Sequence, residues 1–451
     1  MNRIIRSLVA VLATAATALA GQAAGAVPAA GAVPAAAAPV SAQDVAGGAG
    51  FMVYLRDQAD LRAATRLSDS KARTTQVYRQ LTATADKAQR GLREELGERG
   101  VTHRDYWIAN AMWVDGDADL AADLAKRDEV LRVEAVRTYE LVKPTAERAA
   151  SATAAVEWGL TSMGAPRVWD EYGTRGEGIV VASIDSGVEF DHPALVGHYR
   201  GNNGDGTFSH DYNWFTPPGW CGAGVPCDDD GHGTHTMGTV VGDDGAGVQI
   251  GVAPGARWIT ARGCGVVNCP QTALLAAGQW VLAPTDRAGA NPRPDLRPDV
   301  VNNSWGGGQN DLSYGRTVDA WIAAGIFPVF AAGNDGPGCG TAESPGDNPQ
   351  AYAVGAHDAR NQPGAFSGRG ASKVDGAVKP DISAPGVNVR SSIPGGGYLA
   401  ADGTSMASPH VAGAVALLWS AAPALRGDVA TTRRLLDDSA VDTEAATCGG
   451  T

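Results

Sequence analysis

Beyond residue 20 the chain lacks any apolar run long enough to cross a bilayer, for which about 20 consecutive apolar residues are needed. Positive charge is also in short supply, with 36 Lys and Arg against 49 Asp and Glu and a net charge of −13. The deficit is uneven: residues 52–143 carry 16 basic and 16 acidic side chains, whereas residues 144–451 carry 18 and 32. An acidic surface of this kind argues against nucleic acid or an anionic membrane as partner. Cysteine is sparse as well, at 6 in 451 residues, and no Cys-x-x-Cys spacing occurs, so a zinc site is the weaker reading of them.

What is present begins with an address. Arg3 and Arg6 precede an apolar run from Leu8 to Leu19, and small residues follow, with cleavage expected after Ala20 or Ala26. This is the pattern of an export signal over residues 1–26, too short and wrongly flanked for a membrane span. The mature protein is expected outside the cytoplasm, where six cysteines can form disulfides. Neighbours suggest Cys221 with Cys227, Cys264 with Cys269, and Cys339 with Cys448, although six cysteines allow fifteen pairings. Residues 27–50 continue an Ala/Gly/Pro-rich leader in which Gly-Ala-Val-Pro-Ala-Ala is written twice, a composition that cannot bury a core.

Residues 51–143 read as a small α/β unit: a strand at Phe51–Leu55, a long charged helix from Ser68 to Leu96, strands at Tyr106–Ile108 and Ala111–Val114, a helix from Ala118 to Lys126 and a strand at Val130–Val136. That order is the ferredoxin-like βαββαβ pattern. Residues 144–156 are small and polar, an exposed linker of the kind that is readily nicked. From Glu157 short β-type runs (Ile179–Ile184, Arg257–Ala261, Val300–Asn302, Ile326–Ala331, Tyr352–Gly355) alternate with helical segments (Thr234–Val241, Pro270–Leu282, Tyr314–Ala324 and one opening near Ser405). Alternation of this kind predicts an α/β domain with a mostly parallel sheet, flanked by helices, whose ligands gather at the carboxyl ends of the strands.

Four polar segments fall where such a sheet would collect them. A buried-strand run ends in Asp185; Asp230-Gly231-His232-Gly233-Thr234-His235 puts an imidazole at a helix start; Gly403-Thr404-Ser405-Met406-Ala407-Ser408-Pro409-His410 opens an apolar helix, with Thr404 as the expected N-cap; and Ala331-Ala332-Gly333-Asn334 releases a carboxamide into a glycine-rich turn. Alone, Ser405 is as well read as a capping serine. With a base to take its proton and an acid to orient that base it becomes a nucleophile, and Asn334 together with the Ser405 N–H can hold the resulting oxyanion. Pro409 cannot donate to the Ser405 carbonyl, which predicts a kink at that point of the helix.

These segments resemble the motifs of the subtilisin-like serine proteases, the subtilases, over roughly residues 157–451, and most closely the bacillopeptidase F branch. The resemblance implies catalytic Asp185, His232 and Ser405, with Asn334 at the oxyanion. It implies a primary pocket walled by Ser304, Trp305, Gly306 and by Ala331, Ala332, Gly333, where extended polypeptide substrates add as a strand. Trp305 stands where many relatives carry Leu, which bears on pocket preference. It further implies that residues 51–143 are a propeptide that assists folding and inhibits the enzyme; the small polar linker at 144–156 that follows it leads us to expect self-cleavage between Glu140 and Glu157. The expected protein is a secreted monomer needing no cofactor for catalysis. Its partners are substrate and its own propeptide, with no nucleic acid, and no membrane once the signal is removed. The family usually continues past residue 451, so the resemblance leaves open a C-terminal truncation.

Other readings weigh less. His232 and His235 as a metal pair lack the intervening Glu of metalloproteases. Asn202, Asn203, Asp205 and Asp211 form an oxygen-rich loop in which structural calcium is conceivable but fits no strong template. Asp228-Asp229-Asp230 reads as a solvated acidic loop, and His192 and His410 as structural. Gly403–Ala407 is not Gly-x-Ser-x-Gly, which disfavours an esterase elbow. A catalytically silent homologue acting as a binding protein is the alternative from another class.

Overall fold

The computed structural model describes residues 3–4, 50–141, 144–151, 154–222, 224–442 and 448. Most of the expected export signal and leader, and the chain's last segment apart from Cys448, lie outside them. Seven parallel strands form the centre, in the order Ile382–Pro385, Tyr352–His357, Phe327–Ala331, Val300–Asn303, Val180–Asp185, Arg257–Arg262, Trp214–Phe215. Beyond Ile382–Pro385, Arg3–Ile4 adds in parallel and Val441–Asp442 pairs antiparallel to it.

Alternation along these strands feeds two apolar layers. Val181, Val300, Phe327 and Val329 face the helices His232–Val241 and Thr404–Ala421, while Ala182, Ile184, Val301 and Phe330 face Gln271–Leu282 and Gly315–Ala323. The Thr404–Ala421 helix is buried all round through Trp419, which explains why its sequence shows no polar face. Among the described residues no helix is long and apolar enough to cross a membrane. All three neighbour pairings of cysteine are formed: Cys221–Cys227, Cys264–Cys269 and Cys339–Cys448.

Residues 51–135 form a four-stranded antiparallel sheet in the order His103–Tyr106, Ala111–Val114, Phe51–Leu55, Val130–Ala135, with the helices Ser70–Glu98 and Ala118–Leu124 between its strands in sequence. Both connect in the βαββαβ order. The second strand lies earlier than Tyr106–Ile108, because residues 107–110 turn and Asn110 takes positive φ. This unit packs Met52, Tyr54, Tyr106 and Ile108 against the Gln271–Leu282 and Gly315–Ala323 layer. Arg73 donates to the carbonyls of Ile322 and Ala323 at the C-terminal end of Gly315–Ala323, where a cation is favoured.

Two segments read as unstructured or unassigned prove to be strands. Thr138–Leu141 pairs on one side with Cys269–Pro270 and on the other with Trp305–Gly306, antiparallel to both. In the stretch read as an exposed linker, Ala146–Ala150 pairs with Gly397–Asp402, and Arg148 makes two bonds to the Asp402 carboxylate at 2.8 and 3.1 Å. Pairing uses backbone groups, so small polar side chains do not prevent it.

Candidate active site

Asp185 ends its strand fully buried, and its carboxylate accepts from the Ser186 N–H at 2.7 Å and from Thr236 Oγ1 at 3.2 Å. His232, the first residue of its helix, sets Nδ1 2.7 Å from Asp185 Oδ1, with both side chains essentially out of solvent. A Cβ at Gly233 would overlap the Gly187 carbonyl, so glycine is what lets this helix start come so close to the Asp185 strand.

The helix start is held by a residue read as solvated. Asp228 accepts from Gly231 N and Thr234 N at 2.8 Å each, from Thr234 Oγ1 at 2.6 Å and from Ser186 Oγ at 2.8 Å. It thereby ties the turn after Asp185 to the helix that begins at His232. Burial pushes its carboxyl up, against the pull of those hydrogen bonds. An Asp just ahead of a helix start is a capping signal, and that was the available clue. Asp229 pairs instead with Arg262 at 2.8 Å.

Ser405 lies in the first turn of its helix as expected, but Thr404 is not the N-cap. Gly403 takes that place, and the Thr404 hydroxyl bonds the Gly333 carbonyl at 3.2 Å and Asn334 Oδ1 at 3.0 Å. Asn334 Oδ1 also accepts the Thr404 N–H at 3.0 Å, which fixes the carboxamide and turns Nδ2 toward Gly403, 3.3 Å from where a Cβ there would stand. Thr404–Ala421 runs as one helix with Pro409 inside it. The Ser405 carbonyl that Pro409 cannot serve accepts Ser304 Oγ at 3.1 Å, while Ser405 Oγ donates to the Ser304 carbonyl at 3.4 Å.

Ser304 thus joins the Ser405 helix to the Trp305–Gly306 edge. Ala331 ends its strand and, with Ala332, is buried beside it. Trp305 contributes backbone to that edge, but its indole is fully buried against Tyr314, Phe330 and Tyr139, with ring centroids 5.0, 5.9 and 5.4 Å away. What Trp305 presents to a paired strand is therefore backbone, as its pairing with Leu141 shows. Tyr139 itself is buried and donates to Asp311 Oδ2 at 2.6 Å.

The histidines beside the site are separate. His235 Nε2 lies 3.0 Å from the Leu399 carbonyl and burial lowers its pKa to about 4, so it faces away from any pairing with His232. His410 bonds the Met406 carbonyl and His192 the Gly397 carbonyl. Asp205 is engaged by Thr207 at 2.6 Å and Asp211 by the Arg287 N–H at 3.0 Å.

Comparison with known proteins identifies the family. The Peptidase S8 subtilase model matches residues 176–449. Bacillopeptidase F of Bacillus subtilis (strain 168) is 38% identical over 413 residues, covering 84% of this chain and 28% of that protein. Subtilisin E of the same strain is 32% identical over 271 residues, 59% of this chain and 62% of the subtilisin, and a Bacillus pumilus subtilisin is 32% identical with 86% of its length covered. The chain thus spans well under a third of the first of these relatives and under two thirds of the second. The motif match spans the same strands and helices that carry Asp185, His232, Asn334 and Ser405, and the chain belongs to the subtilase family of serine peptidases.

Proposed function

We propose that this chain is a secreted serine endopeptidase made as a precursor that processes itself. His232 takes the Ser405 proton as Ser405 Oγ attacks the substrate carbonyl, and Asp185 holds the imidazole through Nδ1. Asn334 and the Ser405 N–H receive the oxyanion. His232 then returns the proton to the leaving amine, and water, deprotonated by the same imidazole, hydrolyses the acyl-enzyme. The observation that carries this reading is the 2.7 Å contact between two buried groups, His232 Nδ1 and Asp185 Oδ1.

The precursor reading rests on what fills that edge. Thr138–Leu141, the end of the 51–143 unit, occupies the strand position between Cys269–Pro270 and Trp305–Gly306, so the attached unit would block substrates by β-augmentation. Leu141 lies opposite Trp305, and the Cα of Pro144 stands 3.7 Å from where a Cβ on Gly403 would be, so described residues on either side of 142–143 adjoin the segments that hold Ser304 and Ser405. Self-cleavage is expected between Glu140 and Glu157. Secretion follows from the export-type start of the sequence, and structural calcium at Asn202–Asp211 remains the cofactor reading to test by melting with and without chelator. An active-site phosphonate should label Ser405 in the matured protein; clean protein that stays unlabelled and does not digest casein would support the silent-homologue reading instead.

A further inference from the structure

Glu343 plays no part in the chemistry above, yet it lies in the middle of the substrate edge. Its N–H bonds the Ala332 carbonyl at 2.9 Å and its Oε1 accepts the Asn334 N–H at 3.0 Å, so backbone and side chain are both fixed to the turn that carries the oxyanion residue. The side chain crosses the gap between the two opposed walls. A Cβ at Gly333 would overlap Glu343 Cδ and Oε1, and a Cβ at Gly306 would lie 3.3 Å from Oε2. Two glycines facing each other leave a slot, and this carboxylate stands in it.

The slot is chemically lopsided. Burial pushes the Glu343 carboxyl up to about 7, and the charges that act on it, Asp335 on its own turn and Glu140 on the paired strand, are both negative. Among the described residues no Lys, Arg or His forms an ion pair with it. A half-buried carboxylate among other acids is costly unless a cation arrives.

We propose that Glu343 sets the primary specificity of the site, selecting peptides with lysine or arginine immediately before the cleaved bond. The proposal rests on the endopeptidase reading for its substrate, but the pocket chemistry stands apart from turnover. A substrate strand that took the register of Thr138–Leu141 and ran one residue further would set that residue opposite Ser304, whose carbonyl accepts the Ser405 hydroxyl. A side chain there enters between Gly306 and Gly333. An extended cationic side chain would bring its charge to Glu343, its aliphatic stem lying between the glycine walls.

The test uses the secreted, matured protein and peptides Thr-Tyr-Glu-Leu-X, with X as Arg, Lys, Leu, Phe or Ala before a chromogenic amide. Arg and Lys are expected to exceed Leu, Phe and Ala in kcat/KM, and Glu343→Gln should cut the Arg-to-Leu ratio about 30-fold or more, as for loss of one partner from a desolvated charge pair. Preference for Ala, which would mean that the carboxylate merely plugs the slot, overturns the proposal, as does preference for Leu or Phe, or a ratio untouched by Glu343→Gln. A second readout needs no turnover: p-aminobenzamidine should bind the matured protein with enhanced fluorescence and lose that binding in Glu343→Gln. Protein that digests casein but binds no benzamidine sinks the specificity while leaving the endopeptidase reading intact. Protein that binds benzamidine through Glu343 but neither reacts with phosphonate nor cleaves peptides sinks the endopeptidase reading and supports the cationic pocket.

Discussion

Ser304 and Ser405 are joined at both ends: the Ser304 hydroxyl donates to the Ser405 carbonyl at 3.1 Å, and the Ser405 hydroxyl donates to the Ser304 carbonyl at 3.4 Å. The first bond exists because Pro409 has no N–H to offer that carbonyl. Asn302 Nδ2 donates to Ser304 Oγ at 3.1 Å and Asn302 Oδ1 accepts Ser408 Oγ at 2.6 Å, so the repair belongs to a buried network. Ser304→Ala removes this hydrogen bond to the Ser405 carbonyl and should cost about 0.5–1.5 kcal/mol, the usual net worth of one such bond. Denaturant unfolding of the mature protein measures this, and a value near zero would show that the carbonyl has another partner.

Self-processing depends on Ser405 in the same molecule or a neighbouring one. Ser405→Ala, expressed without active enzyme, should accumulate as full-length chain after signal removal, with Thr138–Leu141 still in place. Mass spectrometry of the secreted product decides it. A Ser405→Ala product that begins between residues 141 and 157 would assign maturation to another protease.

Asn334→Ala should lower kcat by about 10²–10³ with little change in KM, a magnitude that comes from a subtilisin rather than from the present geometry. The variant also removes the acceptor of the Thr404 N–H and hydroxyl, so part of the loss would be positional. Asn334→Asp keeps that acceptor and removes the donor. If the donor matters, it should be as impaired as Asn334→Ala; recovery of activity in Asn334→Asp would reduce the residue to a clamp on Thr404.

Asp228 tests positioning of the base. Asp228→Ala strips an acceptor from Gly231 N, Thr234 N and Ser186 Oγ, which frees both the turn after Asp185 and the start of the His232 helix. Loss of hydrogen bonds to a charged acceptor predicts destabilisation of about 1.5–3 kcal/mol. At a temperature where the variant is folded, kcat should fall more than KM rises. A kcat unchanged in folded protein would confine Asp228 to stability.

The parallel sheet and the four motif segments were legible because their causes are local. Buried strands of parallel sheets read as unbroken apolar runs, and the residues at their ends, such as Asp185 and Asn334, stand out by contrast. Asp228 was misread because an acidic triplet looks the same in sequence whether it caps a helix or faces water. Strand Thr138–Leu141 was missed because its pairing partners, Cys269–Pro270 and Trp305–Gly306, are more than a hundred residues away and too short to show a period. The burial of the Trp305 indole against Tyr314 and Phe330 was not legible, because those partners come from separate elements and sequence gives a position without a direction. Glu343 carried no motif at all; only the opposition of Gly306 and Gly333 gives it meaning.

The charge of Glu343 offers a pH test that the catalytic base does not obscure. Burial raises this carboxyl to about 7, with Asp335 and Glu140 adding to the rise. Above that value the group is ionised and should favour a cationic side chain; below it the group is neutral and should discriminate little. The ratio of kcat/KM for the Arg peptide to that for the Leu peptide should therefore fall as pH is lowered through the titration of Glu343. In the matured protein the midpoint should lie below about 7, because Glu140 leaves with the 51–143 unit and its push goes with it. A pH dependence shared by both peptides cancels from the ratio. In Glu343→Gln the ratio should be low and flat with pH. A wild-type ratio that stays constant from pH 5 to 9 would remove ionisation of Glu343 as the source of any preference.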